Sequence, residues 1–302
     1  LAHGLKDEID ADKRFLDQAE ATRRSRQHCG GDQADAGCAV QVRYLYQVLR
    51  GFPPEQVFAQ TLLGFELAAA DPRWVGINFV MPEDGYVSMR DYNLQMRMLD
   101  FLHGLYPKVH ISLHAGELAA GLVPPEGLRF HIREAVELGH AERIGHGVDV
   151  MYEDRPAQLL AEMAARRVMV EINLTSNDGI LGIKGREHPL PQYLAHGVPV
   201  ALSTDDEGVS RIDLTHEYLR AAEEFGLDYP ALKRLARNSL SYSFLPGAGL
   251  WSADGQPAPA CAGQTLGAAQ ATGGCRTLLA ASEKAAAQWE LERRFRAFEA
   301  QH

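Results

Sequence analysis

The chain is short of positive charge: 30 Lys and Arg face 40 Asp and Glu among 302 residues, a formal net charge of −10. That balance argues against a nucleic-acid partner, because neutralising phosphates supplies much of that affinity. Long hydrophobic runs are missing as well. No apolar stretch approaches the ~20 residues that cross a bilayer, and the longest uncharged run, Gly255 to Cys275, has the Gly, Gln and Pro of a loop. Cysteines are few, namely Cys29, Cys38, Cys261 and Cys275, in two close pairs without C-x-x-C spacing. Neither a zinc ribbon nor a redox motif is therefore readable. Two short disulfides in an exported protein would give this pattern, and so would four incidental thiols in a cytoplasmic one. No Walker A, G-x-G-x-x-G or H-E-x-x-H occurs, which removes nucleotide-fuelled chemistry and zincin proteolysis. P-C-x-x-C, part of the zinc signature of deaminases that act on nucleic-acid bases, is absent too. The first residue is Leu1, and no signal-peptide apolar region follows it.

What remains is an ordinary globular composition, 46% hydrophobic and 23% charged, with a regular alternation of patterns. Lys6 to Gln27 reads as a charged helix, and Cys29 to Cys38 as a polar loop. Strands are expected over Val42 to Leu49, Val75 to Val80, His110 to His114, Arg143 to His146, Val168 to Leu174 and Val198 to Ser203. Helices are expected between them, including Ser88 to Leu105, Gly127 to Leu138, Pro156 to Arg166 and Pro191 to His196. Asp213 to Phe225, Pro230 to Phe244 and Arg276 to Gln301 complete the set. Strand–helix alternation implies parallel pairing. Six strand candidates fall short of the eight of a TIM barrel, but four of them end in polar clusters: His114/Glu117, His146, Ser176/Asn177 and Asp205/Asp206. Functional groups drawn from several strand ends mark a barrel's C-terminal face. The expected fold is thus α/β, a (β/α)8-type barrel lacking its first two strands. Residues 1–38 would form a helical N-terminal segment, 39–250 the partial barrel, and 251–302 a C-terminal loop and helix.

Three motifs carry chemistry. In Ser112-Leu113-His114-Ala115-Gly116-Glu117 a strand delivers a His, and a small-residue turn returns a Glu three positions later. Arg143-Ile144-Gly145-His146-Gly147 sets a His between glycines at a strand end. Leu202-Ser203-Thr204-Asp205-Asp206 places two carboxylates side by side, which a cation would compensate; a helix N-cap would also explain one of them. A His and a Glu on a solvated loop, or a His bonded in a turn, is the plainer reading of each motif alone. Together they form the parts list of a metal-assisted hydrolase.

In this order and spacing, SLHAGE, RIGHG and STDD resemble the adenosine deaminase family of metal-dependent amidohydrolases, closest to its growth-factor-type, often exported branch. Further support comes from Ser176-Asn177, His188-Pro189, Gly197 to Val200, Asn238-Ser239 and Tyr242-Ser243, so that the resemblance runs from about residue 40 to the C-terminus. It implies Zn²⁺ ligands at His114 and Asp205, and a proton donor to purine N1 at Glu117. His146 would orient and deprotonate the zinc-bound water, and Asp206 would bind substrate or assist that water. Met81 and Gly116 would also line the substrate. The implied partner is a small purine nucleoside, and the implied reaction is hydrolytic deamination of adenosine or a close adenine derivative.

Two departures stand out. The family's His-x-His, two further zinc ligands at the end of its first strand, has no counterpart here. Truncation upstream of Leu1 would explain this together with the missing Met and the strand deficit, and the fragment would then lack activity and strong zinc binding. Second, the family usually has Gly where this chain has Met81. The alternatives to a deaminase are a catalytically inactive purine-binding module and an amidohydrolase for another exocyclic amine.

Overall fold

The computed structural model describes residues 2–252 and 255–301. The chain forms two compact units. One runs to Ala115 and resumes over Gly121–Glu142, and the other comprises Gly116–Ala120 and the chain from Arg143 onward.

The first unit opens with α1 (Ala2–Arg26), whose last turn carries Arg23, Arg24 and Arg26 against the negative end of the helix. A disulfide joins Cys29 and Cys38 just beyond it. Then β1 (Tyr44–Leu49), α2 (Pro54–Ala70) and β2 (Trp74–Val80) form a parallel crossover, with Leu45 beside Gly76 and Leu49 beside Val80. Pro54 suits the first helical position, where no backbone N–H is needed. The long helix expected over 88–105 is two, α3 (Tyr86–Arg90) and α4 (Tyr92–Leu105), parted at Asp91. Next comes β3 (Ser112–Ala115), preceded by an Ile111–Ile77 bridge. Gly76 is required there, since a Cβ would come within 2.6 Å of the His110 carbonyl oxygen. The expected helix over 127–138 is shorter, α5 (His131–Glu137). Val48, Phe65, Ile77, Phe79, Leu99 and Ile111 are fully buried and make the core of this unit.

The second unit holds β4 (Arg143–His146), α6 (Pro156–Arg166), β5 (Met169–Ile172), α7 (Leu174–Leu181), α8 (Leu190–Ala195) and β6 (Val200–Leu202). Strands β4, β5 and β6 pair in parallel in that order. After β6 come α9 (Glu207–Ser210), α10 (Leu214–Phe225) and α11 (Tyr229–Ser241). A second disulfide, Cys261–Cys275, resolves the other cysteine pair. The last expected helix divides into α12 (Gly273–Ala281) and α13 (Glu283–Glu299) at Ser282, whose hydroxyl accepts the Ala285 N–H and donates to the Ala248 carbonyl. Leu250, Cys261, Cys275, Ala285 and Trp289 form a hydrophobic cluster beneath them.

The class is α/β with parallel strands, but among the described residues the strands do not close into a barrel. No described helix is long and apolar enough to cross a membrane.

Candidate active site

In the second unit, the polar residues converge beyond the C-terminal ends of β4, β5 and β6. Glu117 Oε1 lies 3.7 Å from His146 Nδ1, and His146 Nε2 lies 3.9 Å from Asp205 Oδ2. The Ser176 hydroxyl donates to the same Asp205 oxygen at 2.7 Å. Glu117 is held there because the Gly116 carbonyl accepts the N–H groups of Val148 and Asp149, at 2.7 and 3.2 Å. His146 and Asp205 both adopt left-handed backbone, with φ of 71° and 51°. Such strain in a non-glycine residue costs on the order of 1–3 kcal/mol and concentrates at functional sites. Gly147 is also left-handed and cannot carry a side chain. A Cβ would meet the Tyr193 hydroxyl at 2.4 Å, where that hydroxyl donates to the Gly147 carbonyl.

A buried hydrogen-bond relay fixes the His146 ring. The Leu190 N–H, which can only donate, donates to His188 Nδ1 at 3.1 Å. His188 must then carry its proton on Nε2, which donates to Asn177 Oδ1 at 3.0 Å. The Asn177 amide is thereby turned with Nδ2 toward His146 Nδ1, at 2.9 Å. Read along this chain of donors, His146 Nδ1 accepts and the ring proton is assigned to Nε2, facing Asp205, with Asn173 Nδ2 3.4 Å from both ring nitrogens. Burial pushes His188 down to about 4, so at neutral pH it stays uncharged and the direction of the relay is preserved. Asn177, His146 and His188 are all buried, so each of these bonds matters.

A residue from outside the motifs supports this arrangement. Glu217 of α10 is fully buried, and its carboxylate accepts the N–H groups of Leu174 (2.7 Å) and Thr175 at the start of α7. It caps from a distance the helix that carries Ser176 and Asn177. Asn177 appeared in the sequence as part of a strand-end polar cluster, and His188 only in a family-like pair. Nothing in the sequence pointed to Glu217.

Two other predicted residues belong to the first unit. His114 is the penultimate residue of β3; its N–H donates to Asn78 Oδ1 at 3.1 Å, and its Nδ1 lies 2.9 Å from Asn78 Nδ2 and 3.1 Å from Oδ1. The buried Arg50 donates through Nη2 to the carbonyls of Phe79 and His114, tying the ends of β2 and β3. Met81 follows β2 with φ of 87° and its side chain lies over Gly51. This backbone is the one glycine adopts without penalty, and Met81 bears the strain instead. Beyond it, Glu83 and His131 form a buried pair, with the His131 ring stacked on Tyr92 at 4.1 Å. Asp206 is different: it is exposed at the start of α9 and its side chain makes no capping bond.

The donor set suits zinc chemistry. Imidazole and carboxylate are its usual nitrogen and oxygen ligands, and His114 has an outer partner in Asn78 that could fix its ring.

A family profile described as adenosine deaminase matches residues 19–249. The adenosine deaminase of Klebsiella pneumoniae subsp. pneumoniae is 44% identical over 137 residues, 45% of this chain and 38% of that protein. Among solved structures, Arabidopsis ADAL complexed with GMP superposes with a TM-score of 0.52 at 25% identity, covering 68% of this chain and 54% of the other. A Burkholderia ambifaria amidohydrolase with bound Zn shares the fold at a TM-score of 0.55 and 18% identity, covering 68% and 53%. The chain therefore spans about half the length of these solved proteins, and less of the curated relative.

Proposed function

The chain belongs to the adenosine deaminase family, and on that premise we propose that it supplies most of the active site of a zinc-dependent aminohydrolase acting on adenosine or a close adenine derivative. The observation that carries this reading is the convergence of Glu117, His146 and Asp205 at strand ends, two of them on strained backbone. In the overall reaction the C6–N bond of the purine breaks and a C6–O bond to water forms, releasing ammonia. Zn²⁺, when bound, polarises water and lowers its pKa towards neutrality. His114 and Asp205 are the residues that would hold it.

Glu117 delivers a proton to purine N1, which makes C6 electrophilic. Its neighbour His146 presents an Nε2–H in the relay described above, so its first task is to orient the attacking oxygen by donation. Ser176 holds the Asp205 carboxylate in place. Gly116, Met81 and Asp206 are the residues that would contact the substrate, as the family resemblance implies. That GMP occupies the Arabidopsis structure supports a small purine ligand here.

The test uses the natural protein that carries this chain, loaded with zinc. Glu117→Gln keeps the shape but cannot deliver a proton, so kcat for ammonia release from adenosine should fall by about 10²–10⁴ while KM moves much less. Undiminished turnover would remove Glu117 from the role. Tight adenosine binding without turnover in the wild type would favour a purine-binding module instead.

A further inference from the structure

We infer that the second unit has another ligand site, at the opposite edge of its sheet from the catalytic residues, which takes a small oxyanion with an apolar or aromatic body. Because β5 and β6 are parallel, their C-terminal ends share one edge and their N-terminal ends the other. Asn173 and Asp205 follow those strands, whereas Arg167 precedes β5 and Gly197 to Pro199 precede β6. Arg167 and Asn173 are six residues apart on one strand path, roughly 20 Å at 3.3 Å per residue. The two sites are therefore distinct.

The N-terminal edge opens into a cavity of about 500 Å³, within the roughly 300–1,000 Å³ of small-molecule sites. A smaller cavity of about 260 Å³ shares Arg167, Tyr242 and Trp251 with it. Val198, Pro199 and Leu235 give the larger one an apolar wall, and Arg167, Arg234 and Arg237 line it too. Lys284 joins Arg167 in the smaller one. No carboxylate is among the described residues lining either cavity, although the chain as a whole carries a charge of −10.

The cations are arranged, not merely present. Arg237 lies 4.6 Å over the Trp251 ring and is forked by Glu292 at 2.6 and 2.8 Å, so its charge is matched and it serves to fix the indole. Arg167 lies 5.5 Å over the Tyr242 ring, which holds its guanidinium at the cavity wall. Arg234, one turn before Arg237 on α11, makes no ion pair or hydrogen bond among the described residues. Planar guanidinium groups fit phosphate and carboxylate oxygens edge-on, and the aromatic and aliphatic wall accepts an apolar body. A bare inorganic ion would leave that wall unused. The site does not depend on zinc or on the deaminase reading.

The experiment is calorimetric titration of phenyl phosphate into the 302-residue chain, with phenylacetate to compare the carboxylate head and benzyl alcohol as the uncharged body. One saturable site for either anion, weakened by added salt and at least 10-fold weaker in Arg234→Gln and in Arg167→Gln, is expected. Benzyl alcohol should bind at least 10-fold more weakly, and Glu117→Gln should bind both anions as the wild type does. Both arginines are exposed, so circular dichroism should find the variants folded, and Arg234→Lys should recover part of the affinity. No saturable binding of either anion would overturn the assignment. So would undiminished binding in the double Arg167→Gln, Arg234→Gln variant, or loss of binding in Glu117→Gln, which would place the ligand in the catalytic cleft.

Discussion

The relay through Asn177 makes a prediction that separates hydrogen-bond direction from shape. Asn177→Asp is nearly isosteric, yet it replaces the amide that donates to His146 Nδ1 at 2.9 Å with a carboxylate oxygen that can only accept. The bond from His188 Nε2–H at 3.0 Å survives, because Oδ1 remains an acceptor. Two acceptors now face each other in a buried place. Left so, the mismatch costs more than the penalty of about 1–3 kcal/mol for an unsatisfied neutral group, because the new carboxylate is charged and fully buried. His146 can escape most of that by moving its proton from Nε2 to Nδ1, which takes the N–H away from Asp205. Stability should then fall by more than about 1 kcal/mol, the carboxylate charge being fully buried, while kcat for ammonia release falls by about 10²–10⁴, the scale of a misdirected acid–base group. Nitrogen-15 spectra of the histidine rings distinguish the two tautomers directly. A folded Asn177→Asp protein whose His146 keeps its proton on Nε2, or whose kcat is unchanged, would refute the relay as the device that sets this ring.

Other expectations follow from the backbone and the buried groups. Met81→Gly should relieve about 1–3 kcal/mol of left-handed strain against an unfolded-state entropy cost of about 0.4–1 kcal/mol; chemical denaturation should give a small net gain, and a loss would mean that the Met81 side chain contributes more by packing. Gly147→Ala should destabilise by more than about 1 kcal/mol, since it adds both strain at φ 60° and a clash with Tyr193; an unchanged denaturation midpoint would contradict the close approach. His188 is pushed down to about 4 by burial from an ordinary 6.5. In that window the unfolded chain takes a proton that the folded one refuses, so stability is level above about pH 6.5 and falls towards pH 4. The drop is of order 3 kcal/mol, and His188→Gln should flatten this part of the pH–stability curve; an equal fall in the variant would assign it to other groups.

The strands were legible because their apolar runs end abruptly in polar residues. Val42 to Leu49 was expected and Tyr44–Leu49 observed, and Pro156–Arg166 was bounded correctly by its proline and its basic end. The errors have local causes. Val168 to Leu174 read as one strand, but Leu174 opens α7, a helix of Thr, Ser, Asn, Asp and Gly whose cap comes from Glu217, 43 residues away. Composition could not reveal that helix. The division of the last helix at Ser282 was readable in principle, since a serine N-cap precedes Glu283, but the helical pattern resumes so soon that it masked the break. Among the candidate site residues, Glu117 lies 3.7 Å from His146 and His146 3.9 Å from Asp205. The order of donors that orients them was not legible, because it depends on which backbone N–H begins the chain.

Glu217 has a consequence for local opening. The amide protons of Leu174 and Thr175 belong to the start of α7, yet their acceptor rides on α10. They can exchange with solvent only when α10 lifts away or the α7 turn itself unwinds. Their exchange rates thus report on a helix remote in sequence, and a substitution that loosens α10 would reach Ser176 and Asn177 without touching either. The start of α7 and the outer helix are thus tied through the Glu217 carboxylate and through Arg220, which donates to Thr175 Oγ1 and Asp178 Oδ2.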